Sequence, residues 1–170
     1  RPCWLVSTVG GSPKTVTQMV WALQTLEGLR VERVFLLRTT ESGDVPAEQR
    51  AHFPSVTDWR ELGLKTHDVL TPQGVERVRR QTYDHLSRLM RTEGRPPLCF
   101  DISGGRKVMS VALHTAAQLL AADDDKVYFV DAVDPPLRDP RSPKWVPEDP
   151  SEVSLVEVPF PRLAFVHELM

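Results

Sequence analysis

Residues Leu98 to Leu120, LCFDISGGRKVMSVALHTAAQLL, pass from a short apolar strand through two glycines into a basic pair and then a long apolar helix. Leu98 to Ile102 reads as strand, Lys107 to about Ala121 as helix, and Ser103-Gly104-Gly105-Arg106 as the turn between them. The same signature opens the chain. Pro2 to Val9 is an apolar run ended by Gly10-Gly11, and Thr15 to Leu29 then carries Val16, Met19, Val20, Leu23 and Leu26 on one helical face, closed by Gly28. Two strand-glycine-helix units in one small chain predict a parallel α/β sheet.

The intervening sequence fits that plan. Val31 to Arg38 reads as a second strand, Thr39 to Pro54 as a polar loop with room for a short helix, and Lys65 to Leu70 as a weaker third strand. Gly74 to Glu93 is a charged helix with a buried stripe of Val75, Val78, Tyr83, Leu86, Leu89 and Met90. Lys126 to Val130 is a fifth strand. Asp134 to Pro150 holds six prolines, too many for a helix or central strand, and so must cross the surface as an irregular connection. Val153 to Val158 and Leu163 to Val166 alternate as an antiparallel pair would. The predicted fold is a single Rossmann-like, doubly wound domain with a mainly parallel sheet, helices on both faces and a C-terminal β-hairpin extension. Its parts are a core over 3–133, the crossing over 134–150 and the hairpin over 151–170.

Composition bounds the function. The 170 residues are 41% hydrophobic and 26% charged, ordinary for one globular domain, and the formal net charge of −2 argues against coating long nucleic acid. Cys3 and Cys99 sit in apolar strands without metal spacing and read as core thiols. No run of about eighteen apolar residues and no signal-peptide pattern occurs, which predicts a soluble, cytoplasmic chain without membrane contact. The histidines at 52, 67, 85, 114 and 167 are scattered, reading as surface or packing groups, and Asp123-Asp124-Asp125 as a polar turn rather than a metal site. The mixed charges of Glu76 to Arg91 read as a solvated face.

Chemistry concentrates in the two turns. Ser7-Thr8-Val9-Gly10-Gly11-Ser12-Pro13-Lys14-Thr15 and Asp101-Ile102-Ser103-Gly104-Gly105-Arg106-Lys107 both lie where parallel sheets bind ligands, at strand C-termini running into helix N-termini. Free backbone N–H groups and the helix dipole favour an anion, and Arg106 with Lys107 strengthens the preference for phosphate. A basic pair at a helix start opposes the dipole, and either Asp101 internally or a bound phosphate externally can compensate it. Neither turn is a P-loop or a GxGxxG fingerprint, and Ser103 is not a GxSxG nucleophile, because Asp101 stands where the first glycine is needed.

STVGGSPKTVTQMVWAL, FDISGGRKVMSVAL and VEVPFPRL, in that order and spacing, resemble the CRISPR-associated Rossmann fold (CARF) domains of type III CRISPR systems. The resemblance runs from Trp4 to Leu163, and its most specific element is the Asp-x-Ser-Gly-Gly-Arg-Lys turn. It implies a homodimer whose turns line a shared two-fold pocket for a cyclic oligoadenylate, most simply the tetra-adenylate, with no metal or other cofactor. The implied ligand-binding set is Thr8, Gly10, Gly11, Ser12, Asp101, Ser103, Gly104, Gly105, Arg106 and Lys107. Within it, either Arg106 turns inward toward Asp101 and Lys107 faces the pocket, or a rotation of the helix start exchanges the two.

Two functional classes stay open under that resemblance. A sensor passes the signal to a fused effector, and a chain opening at Arg1 directly before a strand leaves room for one upstream. A ring nuclease cuts the messenger itself, which a stand-alone domain favours. Cleavage without metal would use the ribose 2′-oxygen as nucleophile, with Ser12 orienting the phosphate and Lys107 stabilising its charge as the catalytic residues. A ligand-binding transcriptional regulator is the further alternative.

Overall fold

The computed structural model describes residues 1–66 and 69–169, with side chains through residue 166. His67 and the side chain of His167 lie outside the described residues. Six strands form one sheet: β1 (Pro2–Val9), β2 (Arg30–Arg38), β3 (Asp58–Gly63), β4 (Leu98–Asp101), β5 (Lys126–Ala132) and β6 (Val153–Val158). Their order is β3-β2-β1-β4-β5-β6, parallel except for β6, which runs antiparallel to β5 with Phe129 opposite Val156. The chain winds outward from β1 through β2 to β3, then returns to lay β4 against the other side of β1. The order therefore reverses between β1 and β4, and at such a point the strand ends diverge and leave a crevice. Both glycine turns leave the sheet there.

The helices α1 (Lys14–Leu26), α2 (Ala47–Arg50), α3 (Pro72–Met90), α4 (Lys107–Leu120), α5 (Pro135–Arg138) and α6 (Ala164–Leu169) complete the fold. Helix α1 packs Val16, Met19, Val20 and Leu23 onto one sheet face with Leu5, Val34, Tyr128 and Val130. Helices α3 and α4 cover the other face, where Val78, Leu86, Met109 and Leu113 meet Val6, Phe35 and Phe100. Cys3 and Cys99 are buried free thiols of the sheet. Alternate side chains of a strand enter opposite faces, so β1, β2 and β4, covered on both sides, are almost continuously apolar. Gly28 ends α1 with φ of +65°, a backbone region glycine enters without steric cost.

Three sequence expectations are corrected. The third strand is Asp58–Gly63, not Lys65 to Leu70, whose residues 67 and 68 lie outside the described set. It is an edge strand, paired along one side with β2 and half exposed, so its sequence DWRELG lacks the apolar density that marks the inner strands. Of the expected hairpin only Val153–Val158 is a strand. Leu163 instead sends its N–H to the carbonyl of Gln118 at 2.9 Å, and α6 follows beside α4. The crossing contains one helical turn, α5, because Pro135 and Pro136 occupy its first positions, where no amide donor is required.

The acidic run before β5 has a structural role at its last member. Asp125, fully buried, takes both guanidinium arms of Arg95 at 3.0 and 3.1 Å and the amides of Leu98 and Ala122 at 2.8 Å each. Arg162 donates to the carbonyls of Ala122 and Asp125 at 2.6 and 2.8 Å. This knot anchors the start of β4 and the C-terminal segment to one turn.

Candidate functional site at the switch point

The two glycine turns are built against each other. Thr8 donates its hydroxyl to the carbonyl of Gly104 at 2.6 Å, tying the end of β1 to the turn after β4. A Cβ at Gly104 would stand 2.6 Å from the Thr8 carbonyl oxygen and 2.7 Å from Thr15 Oγ1. One at Gly10 would stand 3.1 Å from the backbone of Gly105, which itself needs φ of +79°. Only glycine lets the backbones approach this closely. A third loop, after β2, closes the group: Ser42 donates to the carbonyl of Val9 at 2.6 Å, and the amide of Gly43 to that of Gly10 at 2.8 Å.

Beneath the turns lies Asp101, fully buried at the end of β4. Its carboxylate accepts from the Ser7 hydroxyl at 2.7 Å and the Ser103 amide at 2.9 Å. Burial pushes its pKa up to about 6, against the opposing pull of those hydrogen bonds. The Ser103 hydroxyl accepts from the amide of Val130 at 2.8 Å, which fastens the same turn to β5. Ser110, one turn into α4, donates to the carbonyl of Ile102 at 2.9 Å.

Two clefts of about 250 Å³ each flank this ridge. The first opens toward β2 and is lined by Gly10, Gly11, Thr39, Glu41, Ser42 and Arg106. The second opens toward β5 and is lined by Ser12, Thr15, Ser103, Phe129, Asp131 and Arg138. The ridge itself presents Gly11 and Gly105 exposed, followed by the N-terminus of α4. Helix α4 carries no acidic residue in its first turn and no side-chain cap, so an arriving anion meets unopposed positive potential there.

The expected site residues therefore divide by role. Gly10, Gly11, Ser12, Ser103, Gly105 and Arg106 reach the clefts or the ridge, whereas Thr8, Asp101 and Gly104 are buried and brace it from below. The side chains of Thr8 and Asp101 are hydrogen-bonded within the ridge and line neither cleft of the single chain. Of the two placements open to Arg106, the inward one is not adopted: Ser7 and the Ser103 amide already satisfy the Asp101 carboxylate, and Arg106, exposed, lines the first cleft. Lys107 is exposed on the first turn of α4 and lines neither cleft of the single chain.

Sequence reading passed over Thr39, Glu41 and Ser42, which reach the first cleft from a loop with no motif of its own. It also passed over Lys14. Only 2% exposed, Lys14 borders the second cleft and donates to the carbonyls of Pro136, Asp139 and Ser142 at 3.2, 2.6 and 2.7 Å. Burial pulls its ammonium below the usual lysine range. The signal was a lysine in the first turn of a helix, where the dipole disfavours it unless carbonyls compensate.

The family model described as CRISPR-associated protein NE0113 matches residues 52–168. Among solved structures, the Enterococcus italicus Csm6 bound to cyclic hexa-2′-fluoro-hexa-dAMP aligns over 98% of this chain and 44% of its own, with a TM-score of 0.64 and 10% identity. The protein VC1899 from Vibrio cholerae aligns over 76% of this chain and 30% of its own, with a TM-score of 0.50 and 8% identity. The chain thus spans less than half the length of either. No curated protein matches. At these identities the likeness is one of fold.

Proposed function

Because the chain belongs to the CRISPR-associated NE0113 family and is a CARF domain, we propose that it binds a cyclic oligoadenylate across the paired glycine turns of a homodimer in type III CRISPR signalling. The observation that carries the proposal is the ridge of two interlocked turns at the switch point, with exposed amides at an uncapped helix N-terminus and Arg106 beside them. A ring of adenylates repeats its phosphates by rotation, so two copies of one ridge meet equivalent groups. Two-fold symmetry suits the tetra-adenylate.

Lys107 enters this site only across the two-fold. It shares a face of α4 with Val111, one turn on and 63% exposed, and a contact along that face sets both Lys107 side chains at the seam. The dimer then supplies what the single chain lacks.

For a cleaving protein the step is transesterification. A ribose 2′-oxygen attacks its own 3′-phosphorus, the bond to the 5′-oxygen breaks, and the 2′-proton is passed through solvent to the departing 5′-oxygen. The products are a 2′,3′-cyclic phosphate and a 5′-hydroxyl. Ser12 orients the phosphate and Lys107 stabilises the charge that develops on it. Simple sensing is the second reading, favoured because no histidine stands among the described residues lining either cleft to take the proton.

The deciding experiment incubates EDTA-treated protein with cyclic tetra- and hexa-adenylate, following both complex formation and ring opening. Linear products ending in 2′,3′-cyclic phosphate establish the nuclease. A bound, intact ring establishes the sensor, and no binding of either ring overturns the proposal.

A further inference from the structure

Arg138 stands in α5, within the proline-rich crossing and far in sequence from both glycine turns. The crossing is held tightly rather than draped. Lys14 gathers three of its carbonyls, Thr17 donates to the carbonyl of Trp145 at 2.8 Å, and Gln18 to that of Leu137 at 3.0 Å. All three donors belong to the first two turns of α1, directly after Ser12. Burying a lysine ammonium is unfavourable unless its donors are satisfied, so this arrangement strongly specifies where the segment lies.

Leu137, 1% exposed, anchors α5 in the core, and the next residue, Arg138, lines the second cleft with Ser12 and Ser103. Three elements distant in sequence thus converge on one opening. The acidic neighbour of Arg138 is Asp131 of β5, at 3.8 Å, with the two side chains 63% and 51% exposed. That separation is too long for a hydrogen bond, and a pair so exposed contributes little. The guanidinium is therefore available to a stronger partner, for which its planar fork suits a phosphodiester.

We infer that the proline-rich crossing is a third wall of the binding site, and that Arg138 contacts a phosphate of the ligand, leaving Asp131, which otherwise holds it loosely. The inference rests on the oligoadenylate reading above.

Arg138→Ala is tested by direct binding of cyclic tetra- and hexa-adenylate at low and moderate salt, beside Arg141→Ala and Asp131→Asn. Arg141 lies on the same crossing, with its side chain 93% exposed, and lines neither cleft. Loss of a charge-assisted bond is expected to weaken binding by Arg138→Ala roughly tenfold or more, with a shallower salt dependence. Arg141→Ala is expected to bind as the unaltered protein does, and Asp131→Asn more tightly. Equal affinities of Arg138→Ala and Arg141→Ala overturn the contact, and weaker binding by Asp131→Asn overturns the holding role. Failure of the unaltered protein to bind either ring rejects the site reading itself, and this inference with it.

Discussion

A methyl group at Gly104 has nowhere to go. The Thr8 carbonyl and Thr15 hydroxyl lie 2.6 and 2.7 Å from where it would stand, and both belong to the structured end of β1 and start of α1. Gly104→Ala is expected to part the two turns, costing about 1–3 kcal/mol in denaturant unfolding and abolishing oligoadenylate binding. Gly11→Ala meets nothing within 4 Å and is expected to fold normally, which separates steric need from mere turn composition. Asp101 makes a prediction of a different kind. Its pKa rises from 3.8 to about 6 on folding, so between those values the folded chain holds more protons than the unfolded one. Stability from this group therefore falls as pH rises through that window and levels off above it. Relative to Asp101→Asn, the unaltered protein is expected to lose on the order of 3 kcal/mol between pH 4 and pH 7. Parallel unfolding curves for the two would reject a buried, titrating Asp101.

Lys14, buried, and Arg95, partly buried, organise elements rather than chemistry. Lys14 joins α1 to the crossing through three carbonyls, and Lys14→Met keeps the stem volume while leaving those carbonyls without their donor. The expected result is faster amide exchange and protease cutting within 139–145 at nearly unchanged exchange in β1 and β4, since the loss is local. Arg95 holds the fully buried Asp125 and with it the first residue of β4. Arg95→Met strands a carboxylate in the interior and is expected to cost about 3–5 kcal/mol, read as a lowered urea midpoint at unchanged slope. Element boundaries were mostly readable from the chain because glycines and prolines punctuate it. The exceptions were elements whose partners lie far away. β3 is a strand because β2 offers it an edge, and the entry to α6 is placed by the Gln118 carbonyl of α4, which accepts the Leu163 amide.

At the scale of the whole molecule, the proposed dimer makes Lys107 and Val111 a unit. Val111→Glu is expected to shift sedimentation to the monomer and to weaken ring binding, because a charge at the seam opposes association. Lys107→Ala is expected to weaken binding and remove any cleavage in the dimer, yet to add nothing in the Val111→Glu background. Additive losses in the double variant would place the action of Lys107 within one chain instead. Ser12→Ala, by contrast, is expected to slow cleavage more than it weakens binding; equal losses would reduce Ser12 to a ligand contact.

Local sequence alone determined the parallel α/β class, the two glycine turns and their position at strand ends, because these depend on short-range periodicity and on backbone freedom at glycine. The family resemblance implied ten residues as one site. Only the tertiary structure decided where each of them stands. Asp101 and Thr8 became braces because burial removed them from solvent, and Arg106 faced the cleft because Ser7 and a backbone amide had already satisfied the carboxylate that one of its two placements would have met. Arg138 joined the cleft because a lysine on α1 folds a distant, proline-broken segment back over it. Partner choice of this kind is settled by which groups are already satisfied when the elements pack, and no local pattern in the chain records that.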